Sequence, residues 1–387
     1  MKVLFVTRGY PSKENVMWGN YEAVQAKALQ KRGVDVSIIC IKKIRSIFHI
    51  LDRPAIEMFE DDGVKVYQYT VNLPIIPKLF GFELFNYWFI ERAFYRTYQQ
   101  YVNDNGTPDV VHAHIITVAN HCKLLLKRHP IPFVITEHWS VINYPTITNR
   151  YLRHWAKMYF KASHVIAVSS KLSESLQRKF GVNSIVIGNM VDNRFFAPQK
   201  NELRKGFTFV SVGSLLLIKG FDLLIKGFAK CGFDESVKLN IVGGGEERDN
   251  LQALIDKLGL QHQVTLLGQK TPEEVGSILA QSDCYVLSSH IETFGIVIIE
   301  AMAKGLPVVA TRCGGPEDIV TDENGILVSA DDIDALTLGM KTMYNNIGRY
   351  NREDIKRDCW EKYSEESITN KIIEVYKKVI ESKKALY

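Results

Sequence analysis

Short runs of apolar, β-branched residues recur along the chain, each followed by a polar loop and then by apolar residues at helical spacing. The opening KVLFVT is one such run. A Gly/Pro loop follows it, Tyr21 to Lys31 repeats apolar residues at helical spacing, Gly33 closes that helix, and VDVSIIC returns to a strand. The same alternation recurs at VKVYQY, PDVVHAH, PFVITEH, HVIAVSS and SIVIGN. Strands this apolar, separated by helices, predict a parallel sheet covered on both faces. After Asn189 the polar, proline-bearing segment VDNRFFAPQKNELRKG reads as a linker. A second series then runs through FTFVSVG, KLNIVGGG, QVTLLG, DCYVLSS, PVVATRC and GILVSA. The pattern therefore predicts an α/β protein with two Rossmann-like parallel-sheet domains, residues 1–195 and 205–365. Ligands of such sheets bind beyond the carboxyl ends of the strands, so the two domains are expected to face each other across a binding cleft.

Composition narrows the class. At 387 residues, with 46% hydrophobic and 24% charged, the chain can bury two ordinary cores, which excludes disordered, collagenous and disulfide-scaffold proteins. Cys40, Cys122, Cys231, Cys284, Cys313 and Cys359 are far apart, without C-x-x-C or zinc-type spacing, and read as reduced thiols of a cytoplasmic protein. The start MKVLFVTRGYPSK lacks the features of a secretory signal, and the apolar stretch from Leu73 to Ile90 is broken by Pro74, Pro77, Lys78 and Glu83, so no membrane span is expected. Residues 1–190 carry 24 basic against 14 acidic side chains, a surplus of +10; residues 191–387 carry 24 against 29, a balance of −5. The basic half suits an anionic membrane surface or substrate. Nucleic acid is not expected, because the positive charge is dispersed and no binding motif accompanies it.

The densest chemistry lies in SSHIETFGIVIIEAMAKGLPVVATRCGGPEDIV. Strand DCYVLSS ends in a polar loop, a helix is expected from about Phe294 to Lys304, and Gly305 with Pro307 stops it. Gly295 at the helix start allows a ligand close to free backbone N–H groups, which together with the helix dipole attract phosphate. Glu292 and Glu300 flank that start. A carboxylate beside a phosphate is repulsive unless it faces another part of the ligand, and carboxylates accept hydrogen bonds from paired hydroxyls, so one can hold a ribose and the other a hexose. That geometry describes a nucleotide sugar. A capping acid at Glu292 and a partly solvated helix acid at Glu300 is the competing reading. In VGSLLLIKGFDLLIKGF the strand breaks at Gly213, and Lys219 stands before a helix where it can neutralise a diphosphate, or else be an exposed loop lysine. The loop IVGGGEERDNL is more simply a tight turn between strand and helix.

These stretches together resemble the retaining glycosyltransferases of the GT-B fold, family GT4. The family's two glutamates separated by seven residues stand here as Glu292-TFGIVII-Glu300, flanked by the family-like GFDLLIKGF, IVGGGEERDNL, EAMAKGLPVVAT and GGPEDIV. The resemblance implies that Glu292 contacts donor-sugar hydroxyls and Glu300 the ribose, that backbone groups of Phe294, Gly295 and Ile296 approach the sugar and diphosphate, and that Lys219 binds the diphosphate. The family's arginine after the glycine of the lysine loop, Gly213, is here Ser214, so another group must compensate or one phosphate contact is missing. Gly19 in YPSKENVMWGNYE matches the glycine beneath the donor phosphates and the acceptor, and His138 in VITEHWS matches a histidine facing the reacting centre, although on its own it reads as a hydrogen-bonded loop histidine. The C-terminal KYSEESITNKIIEVYKKVI resembles the family's last helix, which crosses back and would add residues 366–387 to the first domain.

The implied activity is metal-independent transfer of a hexose, with retention at the anomeric carbon, from a nucleotide-diphosphate sugar to a saccharide or polyprenyl-diphosphate-linked acceptor in bacterial surface polysaccharide synthesis. A UDP-sugar is favoured over GDP-mannose as donor, and no cofactor beyond this co-substrate is implied. No residue stands out as a covalent nucleophile. His112 and His114 share a strand face but lack a third metal ligand, and Asp332 with Asp334 begins a helix, where capping is the better reading than a metal-binding D-x-D. A nucleotide-sugar 2-epimerase of the same architecture and a non-catalytic nucleotide-sugar sensor are the alternatives. A peripheral contact with the inner membrane surface is a further expectation. It rests on Lys42, Lys43 and Arg45 interleaved with Ile44, Ile47, Phe48, Ile50 and Leu51, and on the aromatic run FELFNYWFIERAFYRTYQQY; an amphipathic core helix with a basic edge is the competing reading.

Overall fold

The computed structural model describes residues 1–12, 18–45, 55–73, 82–149, 151–198 and 206–384. The chain forms two compact units. Unit 1 comprises Met1–Val168, Ser173–Ile187 and Thr369–Tyr387, and unit 2 comprises Ser169–Leu172 and Gly188–Ile368. Residues 188–195, which the sequence pattern assigns to the first domain, group here with unit 2.

Among the described residues unit 1 is built on eight strands: β1 (Lys2–Thr7), β2 (Asp35–Arg45), β3 (Ala55–Asp61), β4 (Val64–Leu73), β5 (Val110–His114), β6 (Phe133–Glu137), β7 (His164–Ala167) and β8 (Ile185–Val186). Their order is β3-β4-β2-β1-β5-β6-β7-β8, parallel except for the antiparallel β3–β4 pair. The sequence pattern predicts every strand but β3. Its residues from Ala55 to Glu60 are all exposed, so it carries no buried face to announce it. The signal that marks it is the turn: Asp62 and Gly63 both take positive φ, 50° and 79°, between the paired Asp61 and Val64. That is the backbone of a two-residue hairpin favoured by Asp-Gly. The basic stretch from Lys42 begins inside a strand rather than a helix, since β2 continues to Arg45. The side chains from Lys43 to Leu51 lie outside the described residues. The last helix, Glu365–Lys384, joins unit 1 from Thr369 onward, where the buried Tyr376 hydroxyl shares a 2.6 Å hydrogen bond with His112 Nδ1.

Among the described residues unit 2 carries six parallel strands: β9 (Phe207–Val212), β10 (Val237–Val242), β11 (Val264–Gly268), β12 (Cys284–Leu287), β13 (Val308–Thr311) and β14 (Gly325–Val328). Their order β11-β10-β9-β12-β13-β14 is that of the dinucleotide-binding sheet, with the reversal of strand order between β9 and β12. Phe209, Leu224, Phe228, Ile241, Val286 and Met340 form its buried core between sheet and helices. Asp332 caps the helix Ile333–Asn345 by accepting a 2.9 Å hydrogen bond from the Ala335 amide, the role its position in the sequence predicts.

Candidate donor site at the strand-order switch

The reversal between β9 and β12 leaves a gap at the carboxyl ends of these strands, and the residues singled out in the sequence lie in the loops that follow them. Past β9 come Gly213 and the exposed Ser214, then the single turn Leu217–Lys219 and the helix Phe221–Cys231. Past β12 the chain runs through Glu292 to the helix Ile296–Ala303. The two loops meet at an ion pair: Lys219 Nζ lies 2.5 Å from Glu292 Oε2, with the side chains 27% and 14% exposed. Glu292 is held from both sides. Its amide donates to the Cys313 carbonyl at 3.0 Å, its carbonyl accepts from the Gly315 amide at 2.9 Å, and Oε1 accepts from the Thr293 amide at 3.1 Å.

The helix starts at Ile296, two residues later than the pattern suggests, because Gly295 takes φ 99° and ψ 59° as its N-cap, a conformation that side chains resist. No side chain caps this end, so its first amides are presented beyond the loop. The Phe294 ring is buried and packs edge-on against Tyr363 at 5.9 Å, anchoring the turn that carries those amides. Glu300, one turn into the helix, is partly buried. Burial pushes its carboxyl up to about 8, the charge of Asp192 adds to the rise, and Arg194 opposes it. The buried Tyr285 phenol is raised by burial first and then by the charges of Glu292 and Glu300. Lys219, Glu292, Phe294, Gly295, Ile296 and Glu300 are thus brought together in unit 2, with Gly213 and Ser214 on the adjoining loop.

Gly19 and His138 belong to unit 1, whose own reversal of strand order lies between β1 and β5. Gly19 takes φ 76° as the N-cap of the helix Asn20–Lys31, and a side chain there would meet the Gly9 carbonyl at 2.3 Å. His138 follows β6. Its Nε2 lies 4.0 Å from Glu22 Oε1, and Arg8 Nε approaches the same oxygen at 4.0 Å. Burial, with the Arg8 charge adding, lowers His138 to about 3, so its imidazole is neutral at ordinary pH. Glu22 is only 2% exposed, and burial raises its carboxyl despite Arg8. Beside them His114 is buried with neither ring nitrogen partnered, stacked 4.6 Å from His112. Sequence reasoning passed over Glu22 and Glu137. Glu137 accepts hydrogen bonds from the amides of Ile116, His138 and Trp139 and from the Tyr159 hydroxyl, and so fixes the loops that follow β5 and β6. Among the described residues no group of three or more His, Cys, Asp or Glu side chains could hold a metal ion.

Residues 192–377 match the family profile "Glycosyl transferases group 1", and residues 21–195 match "Glycosyltransferase Family 4". An uncharacterized glycosyltransferase of Haemophilus influenzae is 30% identical over 365 residues, 92% of this chain and 93% of its own. TuaC of Bacillus subtilis, a glycosyltransferase provisionally assigned to teichuronic acid biosynthesis, is 28% identical over 376 residues, 92% of this chain and 90% of its own. The structure of Anabaena HepE in complex with UDP and glucose superposes with a TM-score of 0.73 at 21% identity, covering 98% of this chain and all of that one, and so shares the fold. With both halves of the chain matched and two parallel-sheet units of this kind, the protein belongs to the GT4-type glycosyltransferases of the GT-B fold.

Proposed function

We propose that the protein transfers a hexose from a nucleotide-diphosphate sugar, a UDP-sugar in the first instance, to a saccharide or a polyprenyl-diphosphate-linked saccharide, with retention at the anomeric carbon. The observation that carries this reading is the Lys219–Glu292 pair at the switch point of unit 2, beside the uncapped start of the helix Ile296–Ala303. On donor binding Lys219 leaves Glu292 for the diphosphate. The amides of Gly295 and Ile296 lie against the phosphates, and Glu292 accepts from the hexose hydroxyls while Glu300 accepts from the ribose. As the bond from the anomeric carbon to the diphosphate breaks, negative charge grows on the leaving oxygen. Lys219 and the helix start stabilise it in place, without a metal ion. The leaving oxygen then takes the proton of the acceptor hydroxyl on the same face of the sugar. Unit 1 presents the acceptor, with Gly19 giving close backbone approach and neutral His138 offering a hydrogen bond. The complex of HepE with UDP and glucose supports a uridine donor, and the assignment of TuaC supports a polysaccharide product.

The test is a panel of UDP- and GDP-sugars incubated with saccharide acceptors, read as nucleoside diphosphate release. Acceptor-dependent release that persists in EDTA is expected, with UDP-sugars ahead of GDP-mannose. Conversion of a nucleotide sugar in the absence of acceptor would instead identify an epimerase, and binding without any turnover a sensor.

A further inference from the structure

Beside the lysine loop of unit 2 lies a basic side chain that the mechanism above leaves unused. A diphosphate carries more negative charge than the one ammonium of Lys219 offsets, and the surplus grows as it leaves the sugar. Ser214, exposed at the start of the same loop, is uncharged. His290, two residues before Glu292 in the loop after β12, is tied to the lysine loop by the main chain. Its amide donates to the Ile218 carbonyl at 2.9 Å, and the nearby Ser288 hydroxyl donates to the Lys219 carbonyl at 3.0 Å. The two loops approach so closely that Gly220, at φ 61°, has no room for a side chain. A β-carbon there would meet the Ser288 carbonyl oxygen at 2.3 Å and stand 3.5 Å from His290 Nε2. The Nε2 edge of the imidazole therefore faces the residue next to Lys219.

The other ring nitrogen is committed, because Nδ1 is hydrogen-bonded to the Asp331 carboxylate. Asp331 stands just before the helix Ile333–Asn345 with φ 59°, a left-handed backbone that aspartate accepts more readily than most side chains. A carboxylate on one nitrogen fixes the orientation of the ring and leaves the opposite nitrogen to a ligand. The His290 side chain is 35% exposed, so a ligand can reach it, and that of Asp331 is 67% exposed, so solvent screens its charge.

We propose that His290, oriented by Asp331, is a second basic contact to the donor diphosphate beside Lys219. The inference rests on the donor-site reading above and deepens it. An anion at Nε2 with a carboxylate at Nδ1 favours the doubly protonated ring, so both nitrogens donate and a positive charge is added where the leaving diphosphate gathers its own. Asp331 acts through His290 and is a positioning residue.

The full chain is titrated calorimetrically with UDP and with inorganic pyrophosphate, at low and high salt. His290→Gln is expected to weaken both by about 5- to 30-fold and to make the affinity less dependent on salt. Asp331→Asn keeps a residue that tolerates the left-handed backbone and withdraws the charge, so a smaller loss in the same direction is expected. Ser214→Arg, added to either variant, is expected to recover most of the lost affinity by returning a cation to the same loop, which it would not do if the loss came from a displaced loop. An unchanged thermal midpoint shows that a variant folds, and Asp331→Asn carries the test if His290→Gln does not. Affinities indifferent to both substitutions, a loss that Ser214→Arg leaves in place, or a wild-type chain that binds neither ligand would overturn the proposal. Failure of the glycosyltransferase reading would show itself separately, as diphosphate binding that depends on His290 without sugar transfer to any acceptor.

Discussion

Replacing Glu292 by glutamine should strengthen the binding of a bare nucleoside diphosphate while crippling transfer. In the free protein the Glu292 carboxylate holds the Lys219 ammonium, which the proposed mechanism gives to the diphosphate, at 2.5 Å and with both partners mostly out of solvent. A hydrogen bond between charged groups is worth about 1.5–3 kcal/mol. Partial exposure of both side chains brings the net value to about 1–2 kcal/mol. Glutamine keeps the shape and withdraws the charge, so Lys219 is released and UDP binds about 5- to 30-fold tighter. Transfer moves the other way, because the hexose hydroxyls lose their carboxylate acceptor, and a fall of at least about 100-fold in kcat is expected. Titration calorimetry with UDP at low salt, set beside initial rates, separates the two effects. In a Lys219→Ala background Glu292→Gln should leave UDP affinity unchanged, since the ammonium it competes for is gone. Weaker UDP binding by Glu292→Gln, or the same gain in affinity without Lys219, would refute the reasoning.

Glu300 titrates near 8 when folded and near 4.5 as an ordinary carboxyl, so the native state holds the extra proton between these values. Its contribution to stability is present below about 4.5 and is lost as pH rises through about 8. Glu300→Gln should therefore flatten the fall of Tm across this range, and an unchanged Tm–pH slope in calorimetry would contradict the assignment. Tyr376→Phe removes the 2.6 Å bond to His112 inside unit 1. It should lower the unfolding free energy by about 1–3 kcal/mol, seen in denaturant titration, while UDP affinity stays at the wild-type value because Lys219, Glu292 and Glu300, the side chains proposed to hold the donor, lie in unit 2.

The strands of both sheets were legible because parallel strands buried on two faces must be written as apolar runs, and VVHAH, CYVL and VVAT are such runs. β3 obeys no such rule: with one edge and both faces open, it shows only in its Asp62–Gly63 turn. The residues of the candidate donor site were legible as a cluster, since the loops after β9 and β12 carry them in short motifs that sequence order keeps intact. What joins those motifs was not. The ion pair between Lys219 and Glu292 spans 73 residues, and nothing local in either loop announces it. Glu22 is the sharper example. An acid in the first turn of a helix reads as an exposed partner of the dipole, yet this one is buried against Arg8 and His138, which follow β1 and β6. Glu137, adjacent to a residue chosen for its chemistry, was eclipsed by it although its carboxylate organises the loop that His138 occupies.

The most direct measurement is the fate of the anomeric carbon when the protein is given a UDP-hexose and a saccharide acceptor, followed by proton NMR of the product and by UDP release. Acceptor-dependent UDP release, a new glycosidic bond with the donor's anomeric configuration, and loss of both in Glu292→Gln are the results expected. An inverted linkage, or consumption of the UDP-hexose that does not depend on the acceptor, would contradict the account.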